Sequence, residues 1–334
     1  MRKLSLIQSL LLCCTIVLVS NPLIAAPTKD EVDVENIKAP PRDVKDILRL
    51  LEQTKPDQAV VDRAKKIVAT SVPPSQDNEV LNHFYTRRSI AYEDLGNTSE
   101  ALKNLEIAVS QYPSTNPRLY INDLINLSVL ENSVGQVSKA ITLIQKAQAY
   151  QLSALPNLDG IQMTMGRLLT GYYVYSGNFE SAKKSLDIME DKLSSLKRSR
   201  GYMEYGPIWE ASYESARGIY FSGQGLWLES ERSLRKTLYL LEAQYQKVKN
   251  SSAKIDVAGD EARTATDATN NPRVYVTQIS NRELNLANVL LQQRKLTDAE
   301  FYARKSITLS LSSFGSNSIE VARGLRSLAI IVNE

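Results

Sequence analysis

The stretch from Tyr92 to Pro113 reads YEDLGNTSEALKNLEIAVSQYP. Two apolar-periodic runs flank Gly96, the pattern of two amphipathic helices joined by a short connection. Gly96 ends the first run in a tight turn, where a residue without Cβ adopts a left-handed backbone at little cost. The small residues Ala101 and Ala108 let the second helix approach its neighbours closely, and Leu105 lies between them on the same face. Pro113 closes the unit.

The same spacing recurs at Gly135, Ala140, Ile144 and Ala147, and again at Gly177, Ala182 and Leu186, where Asn178, Phe179 and Glu180 follow the glycine. Two looser copies come next. One contains Gly218, Phe221, Gly225, Ser230 and Leu234; the other contains Leu286, Ala287, Leu290, Ala299 and Ala303, with Arg294 in the glycine's place. Tyr173 and Phe221 hold the packing position of Tyr92. Beyond them, Phe314 and Gly315 lead into Val321, Ala322, Leu325, Leu328 and Ala329, a single helix without a partner, as solenoids use to close an exposed end.

The run of Tyr92, Gly96, Ala101, Leu105, Ala108 and Pro113 resembles the tetratricopeptide (TPR) pattern. The resemblance implies an all-α, right-handed α-solenoid of stacked helix-turn-helix hairpins. Steps between turn residues are 39, 42, 48 and 69 residues, against about 34 in the standard repeat. Near its C-terminus the chain resembles the longer repeats of kinesin-light-chain-like proteins. The organisation expected is a leader (1–26), a flexible segment (27–41), a degenerate helical hairpin as N-terminal cap (42–75), repeats 1 to 4 (78–249), a mobile loop (250–272), then repeat 5 and a capping helix (273–334). The stretch from Asn250 to Pro272 leaves room for an extra hairpin. Its poverty in large apolar residues and richness in Ala, Thr, Asp and Asn favour a loop.

The N-terminus reads as a secretory leader: Arg2 and Lys3, an apolar stretch from Leu4 to Val19, then small residues before an expected cut after Ala26. An uncleaved anchor is the alternative, although about 16 mostly apolar residues fall short of the roughly 20 a span requires. A lipoprotein site would need a small residue before Cys13 or Cys14, where Leu12 and Cys13 stand. Both cysteines lie inside this leader, so the exported chain would have neither disulfide nor thiolate chemistry. Such export fits a bacterial envelope, periplasmic or secreted. Of 40 basic residues the leader removes Arg2 and Lys3, leaving 38 against 37 acidic ones. That balance provides no electrostatic footprint for nucleic acid or an anionic membrane.

Catalytic machinery is hard to assemble from this inventory. His83 is the one histidine in the sequence, which removes histidine metal clusters and most proton relays. The carboxylates Glu93 and Asp94, like Glu229 and Glu231, sit one or two positions apart, do not face each other on a helix, and are expected to be solvated. Gly218, Gly223 and Gly225 lack the strand and Lys-Ser context of a phosphate loop and are expected to serve helix ends and packing. The basic run Lys197, Arg198, Arg200 complements a helix C-terminus.

No cofactor or metal is expected, and no enzymatic activity. The function expected is a protein-interaction scaffold binding a protein or peptide in the envelope, with no span after leader removal. Its candidate contacts are His83, Asn122, Asn126, Arg167, Tyr175 and Tyr213. Exposed tyrosines supply rigid, partly polar contact area. The carboxylate grip known in the family is incomplete: Asn126 matches, but Thr86, Ile90, Thr164 and Leu168 stand at its other places. A regulatory subunit of an envelope enzyme, or glycan binding by the aromatic-rich stretch from Tyr172 to Phe221, are the alternatives.

Overall fold

The computed structural model describes residues 58–155, 159–250 and 272–334, with Arg49 and Glu52 also placed in helix. The expected leader and flexible segment, most of the first helix of the 42–75 cap and nearly all of 250–272 lie outside the described residues. Those described belong to one unit, 42–334, with twelve helices and no strand among them.

Helix α1 (Gln58–Ala69) precedes five hairpins. These are α2 (Asn78–Asp94) with α3 (Thr98–Ser110), α4 (Pro117–Ser133) with α5 (Val137–Ala154), α6 (Asp159–Tyr175) with α7 (Phe179–Leu196), α8 (Tyr202–Gly223) with α9 (Trp227–Lys249), and α10 (Pro272–Gln292) with α11 (Leu296–Phe314). The single helix α12 (Ile319–Val332) follows.

All five hairpin turns are built alike. Gly96, Gly135, Gly177 and Gly225 have φ of 71°, 86°, 76° and 73°, and Arg294 adopts the same left-handed backbone at 61°. In each, the residue after the turn donates its N–H to the carbonyl five residues back: Asn97 to Tyr92, Gln136 to Glu131, Asn178 to Tyr173, Leu226 to Phe221 and Lys295 to Leu290, at 2.8–3.0 Å. This is the Schellman closure of a helix C-terminus. The same residue opens the next helix, and Asn97 and Asn178 also accept backbone N–H bonds through their side chains, satisfying donors that a helix start leaves free.

Where the paired helices come closest the side chains are small. Seven residues before the turn residue stand Ser89, Ser128, Thr170, Gly218 and Ala287; five after it stand Ala101, Ala140, Ala182, Ser230 and Ala299. Ser89 Oγ donates to the Ala101 carbonyl and Ser230 Oγ to the Gly218 carbonyl, both at 2.7 Å. The serine sits on opposite helices in the two repeats, yet spans the same approach. A Cβ on Gly218 would lie 2.8 Å from Leu234 Cγ, so the glycine there serves packing.

Apolar side chains fill three stretches of core. One, including Leu105, Ile121, Leu124, Ile144 and Met165, joins repeats 1 to 3. A second, around Met163, Met189 and Trp209, lies among α6, α7 and α8. The third, with Leu234, Leu286, Leu290, Ile307 and Leu328, runs from repeat 4 to α12. Each such aliphatic side chain contributes about 1.5–3 kcal/mol by leaving water. Two contacts link the beginning and end of the stack. Arg323 of α12 donates to the Ser133 carbonyl of α4 at 3.2 Å, and the Gly96 turn abuts the Asn317 backbone, 2.9 Å from where a Cβ on Gly96 would lie.

Candidate partner-binding surface

Counting back from each turn residue sorts the first helices into rows. His83, Asn122, Thr164, Ser212 and Asn281, thirteen residues before the turn residue, are all half-buried. Thr86, Ile125, Ser215 and Leu284, ten before, are buried, whereas Arg167 in that row keeps solvent access. Six before come Ile90 and Val129, 42% and 44% exposed on successive first helices. Apolar side chains this open at one repeated place make this row a candidate contact surface.

Arg167 and Tyr175 lie eight residues apart on α6, with Gly171 midway, so the three share a helix face. Tyr175 is 61% exposed. Arg282 of α10 is only 9% exposed. Burial, and then the Arg167 charge, pull the Arg282 guanidinium down to about 10. Burial likewise lowers Arg167.

Among the other candidates, Asn126 is exposed on α4. His83, Asn122 and Asn126 share no hydrogen bond or ring contact with Arg167, Tyr175 or Arg282 among the described residues. Beside His83, Asn82 is fully buried and donates to Asp123 at 3.0 Å, tying repeat 1 to repeat 2.

Tyr213 departs from the expectation of an open groove residue. It is half-buried, its ring 5.8 Å from the Arg217 guanidinium, with Phe221 on the same cation at 5.3 Å. Arg88 sits in the same way between Phe84 and Tyr92 at 5.7 and 5.8 Å. Both stacks occupy the same register, twelve, eight and four residues before the turn residue. Burial, then the charge of Glu190 on α7, push the Tyr213 hydroxyl up to about 12. The surrounding aromatic stretch is also largely spent on packing. Trp209 is buried, with Tyr202 and Tyr205 tilted against it at 6.5 and 5.9 Å.

Glu231 corrects a second expectation, that it would be solvated. It is buried and accepts from Arg235 at 2.8 Å, Gln293 at 2.9 Å and Lys295 at 2.7 Å. Burial alone would raise its carboxyl; these donors outweigh that and hold it below the usual glutamate range. Glu229 is exposed, as expected.

Five left-handed turns built alike, each between helices that touch through small residues, decide the fold. The chain is an all-α solenoid of stacked helix-turn-helix hairpins of tetratricopeptide type. A Protein KINESIN LIGHT CHAIN-RELATED 3 from Arabidopsis thaliana is 29% identical to this chain over 150 residues, 42% of its length. The match spans 23% of that relative's length. Among solved structures, a tetratricopeptide repeat protein from Parabacteroides merdae aligns over 85% of this chain and 99% of its own, at 16% identity and a TM-score of 0.38. No protein-family model matches the chain. Among the described residues no helix is long and apolar enough to cross a membrane, and no cluster of His, Cys, Asp and Glu is arranged to hold a metal. A shallow, open depression of about 520 Å³ lies between α7 and α8, lined by the mixed charges of Lys183, Lys184, Asp187 and Asp191.

Proposed function

We propose that the chain is a non-catalytic adaptor of the bacterial cell envelope, holding a protein or peptide partner on the inner face of its first helices. The TPR fold itself suggests an interaction module. The observation that carries the reading is the pair Ile90 and Val129, left open at the same register of successive first helices while the row beside them is buried. Tyr175 extends this face with a large, rigid and partly polar ring, the kind of side chain that anchors interfaces. Recognition would rest on shape, apolar anchors and hydrogen bonds, the ordinary means of a helical groove. The envelope location rests on the leader-like sequence of residues 1–26.

The test is site-specific photocrosslinking in cells, with the crosslinker at Val129 and, as a control, at the exposed Leu228 of α9. The expected result is one protein trapped from Val129 and not from Leu228, and lost on Ile90→Asp. No trapped protein, or the same set from both positions, would sink the proposal. Fractionating the same cells and sequencing the N-terminus tests location. A chain beginning at Pro27 in the periplasm is expected, and an intact leader in the cytoplasm would refute the envelope assignment.

A further inference from the structure

We propose that the helical stack is a ring held shut by a latch, the segment 317–323 seated on the turns of repeats 1 and 2, and that opening of this latch governs a partner's entry to the inner face. The gating rests on the docking reading above; the latch does not.

A solenoid touches itself only between neighbouring repeats unless its superhelical turn brings the two ends together. Here the ends meet. Arg323 Nη2 of α12 donates to the Ser133 carbonyl of α4 at 3.2 Å, across 190 residues of chain. A Cβ on Gly96 would lie 2.9 Å from the Asn317 carbonyl carbon and oxygen and 3.2 Å from Ser318 N, so backbone packs on backbone with no room for a side chain. Helix α11 comes against α2 as well. The other turn glycines have no such neighbour. Nothing lies within 4 Å of a Cβ on Gly135 or Gly177, and one on Gly225 meets only Trp227, two residues on, at 3.9 Å.

The junction is also held differently from the stack it closes. Repeats 1 to 3 share one apolar cluster, and repeat 4 through α12 share another, but the two do not merge where Asn317 meets Gly96. Backbone contact holds the ends there, together with a hydrogen bond from an arginine that is itself exposed. Apolar burial is the dominant favourable contribution to a packed interface. Parting the ends therefore exposes little apolar surface, whereas parting two neighbouring repeats would open a core. Segments that move in function come from such weakly held places.

The position of the latch gives it a consequence. Ser133 ends α4 about one helical turn beyond Val129, and Gly96 lies just past the end of α2, six residues after Ile90. Segment 317–323 thus crosses the ends of the two helices that carry the open apolar row. With the ends joined, a partner reaches that row only along the axis of the ring. With the ends parted, it enters from the side.

The experiment measures the gap directly, by double electron–electron resonance between spin labels at the exposed positions Ser99→Cys and Ser316→Cys of the full chain carrying Cys13→Ser and Cys14→Ser. The otherwise native chain should give one dominant short separation and a minor longer one. Arg323→Ala, which removes a hydrogen bond, should raise the ratio of long to short about two- to tenfold. Gly96→Ala, which forces the backbones apart, should raise it about five- to thirtyfold. Gly135→Ala, equally left-handed but without a neighbour, should leave it unchanged. A ratio that neither Arg323→Ala nor Gly96→Ala alters, or ends already apart in the native chain, overturns the latch. Should Gly96→Ala fail to fold, the exposed Arg323→Ala carries the test. Gating is read in cells with the crosslinker at Val129. Arg323→Ala should trap more of the partner, by up to about the same two- to tenfold, because apparent affinity scales with the open fraction. An equal yield overturns the gating. Trapping of no protein in either chain refutes the docking reading and the gating with it, and the measured separations then decide the latch.

Discussion

Repeats 1 and 2 and repeats 4 and 5 use one register position in opposite ways. Eleven residues before the turn residue stand Tyr85 and Leu124 in the first pair, and Glu214 and Glu283 in the second. Each of these carboxylates meets a lysine placed eleven residues after the turn residue, Lys236 and Lys305, both at 2.8 Å. In repeats 1 and 2 that later position holds Ile107 and Lys146. The backbone geometry of the hairpin thus sets which two positions face each other. The sequence decides whether they meet as an ion pair, as in repeats 4 and 5, or whether the earlier position joins the apolar core, as Tyr85 and Leu124 do in repeats 1 and 2. The two solutions differ in what a substitution does. Truncating an apolar contact loses burial, whereas removing one ion leaves the other buried without compensation.

Lys305→Met should therefore give the largest effect, about 3–5 kcal/mol lost at pH 8 in urea unfolding. Lys236→Met should cost less, because Glu214 also has Arg217 at 3.2 Å. Adding Glu283→Gln to Lys305→Met should restore most of the loss. The loss should also depend on pH. Burial pushes the Glu283 carboxyl from the ordinary 4.5 up to about 7, against the pull of Lys305. A folded state that binds the proton more tightly than the unfolded one is favoured at low pH. The contribution of Glu283 to stability is then fully present below about pH 4.5 and disappears as pH rises through about 7. Relative to Glu283→Gln, the native chain should lose a few degrees of Tm between pH 5 and pH 8, on the order of ~2–4 °C per kcal/mol. Parallel Tm profiles for the two proteins would show that Glu283 does not titrate in this way.

The comparison can be sharpened at the ends of the stack. Gly96 and Gly135 both need a left-handed backbone, so Ala at either costs about 1 kcal/mol through strain. A Cβ on Gly135 meets nothing within 4 Å, while one on Gly96 would lie 2.9 Å from the Asn317 carbonyl carbon and oxygen. Gly96→Ala should thus cost about 1–2 kcal/mol more than Gly135→Ala, the range of an overpacking clash. Deleting the segment from Asn317 onward should erase that difference. Equal costs in the full chain would mean that the contact between the first turn and the C-terminal turn yields without resistance.

These residues also mark how far the sequence could be read. The spacing around Gly96 located the turns and the small residues at every helix approach, even where Arg294 replaced glycine, because those requirements are local and backbone-set. The Glu214/Lys236 and Glu283/Lys305 pairs were visible as matching spacings of 22 residues, had the register been counted outward from the turns. The burial of Glu231 and the half-burial of Tyr213 escaped the sequence for a related reason. Spacing gives the phase of a residue on its own helix but not which neighbouring helix covers that phase. Glu231 is covered by Gln293 and Lys295 at the next turn, and Tyr213 by α7.

Arg294 itself provides the smallest and most local test. At φ 61° an arginine suffers the steric conflict of Cβ with its own carbonyl, about 1–2 kcal/mol. Its exposed ion pair with Glu334 returns at most about 1 kcal/mol. Arg294→Gly removes the strain but gives the unfolded chain more freedom, which takes back about 0.5–1 kcal/mol. At the middle of these ranges the glycine comes out ahead by a few tenths of a kcal/mol, and Glu334→Ala in the Arg294→Gly background should change nothing further. If Arg294→Gly instead destabilised the chain, the bond to Glu334 would have to hold α12 against the last hairpin more firmly than an exposed pair does. The C-terminal helix would then owe its place to charge as well as to the burial of Val321, Leu328 and Ile331.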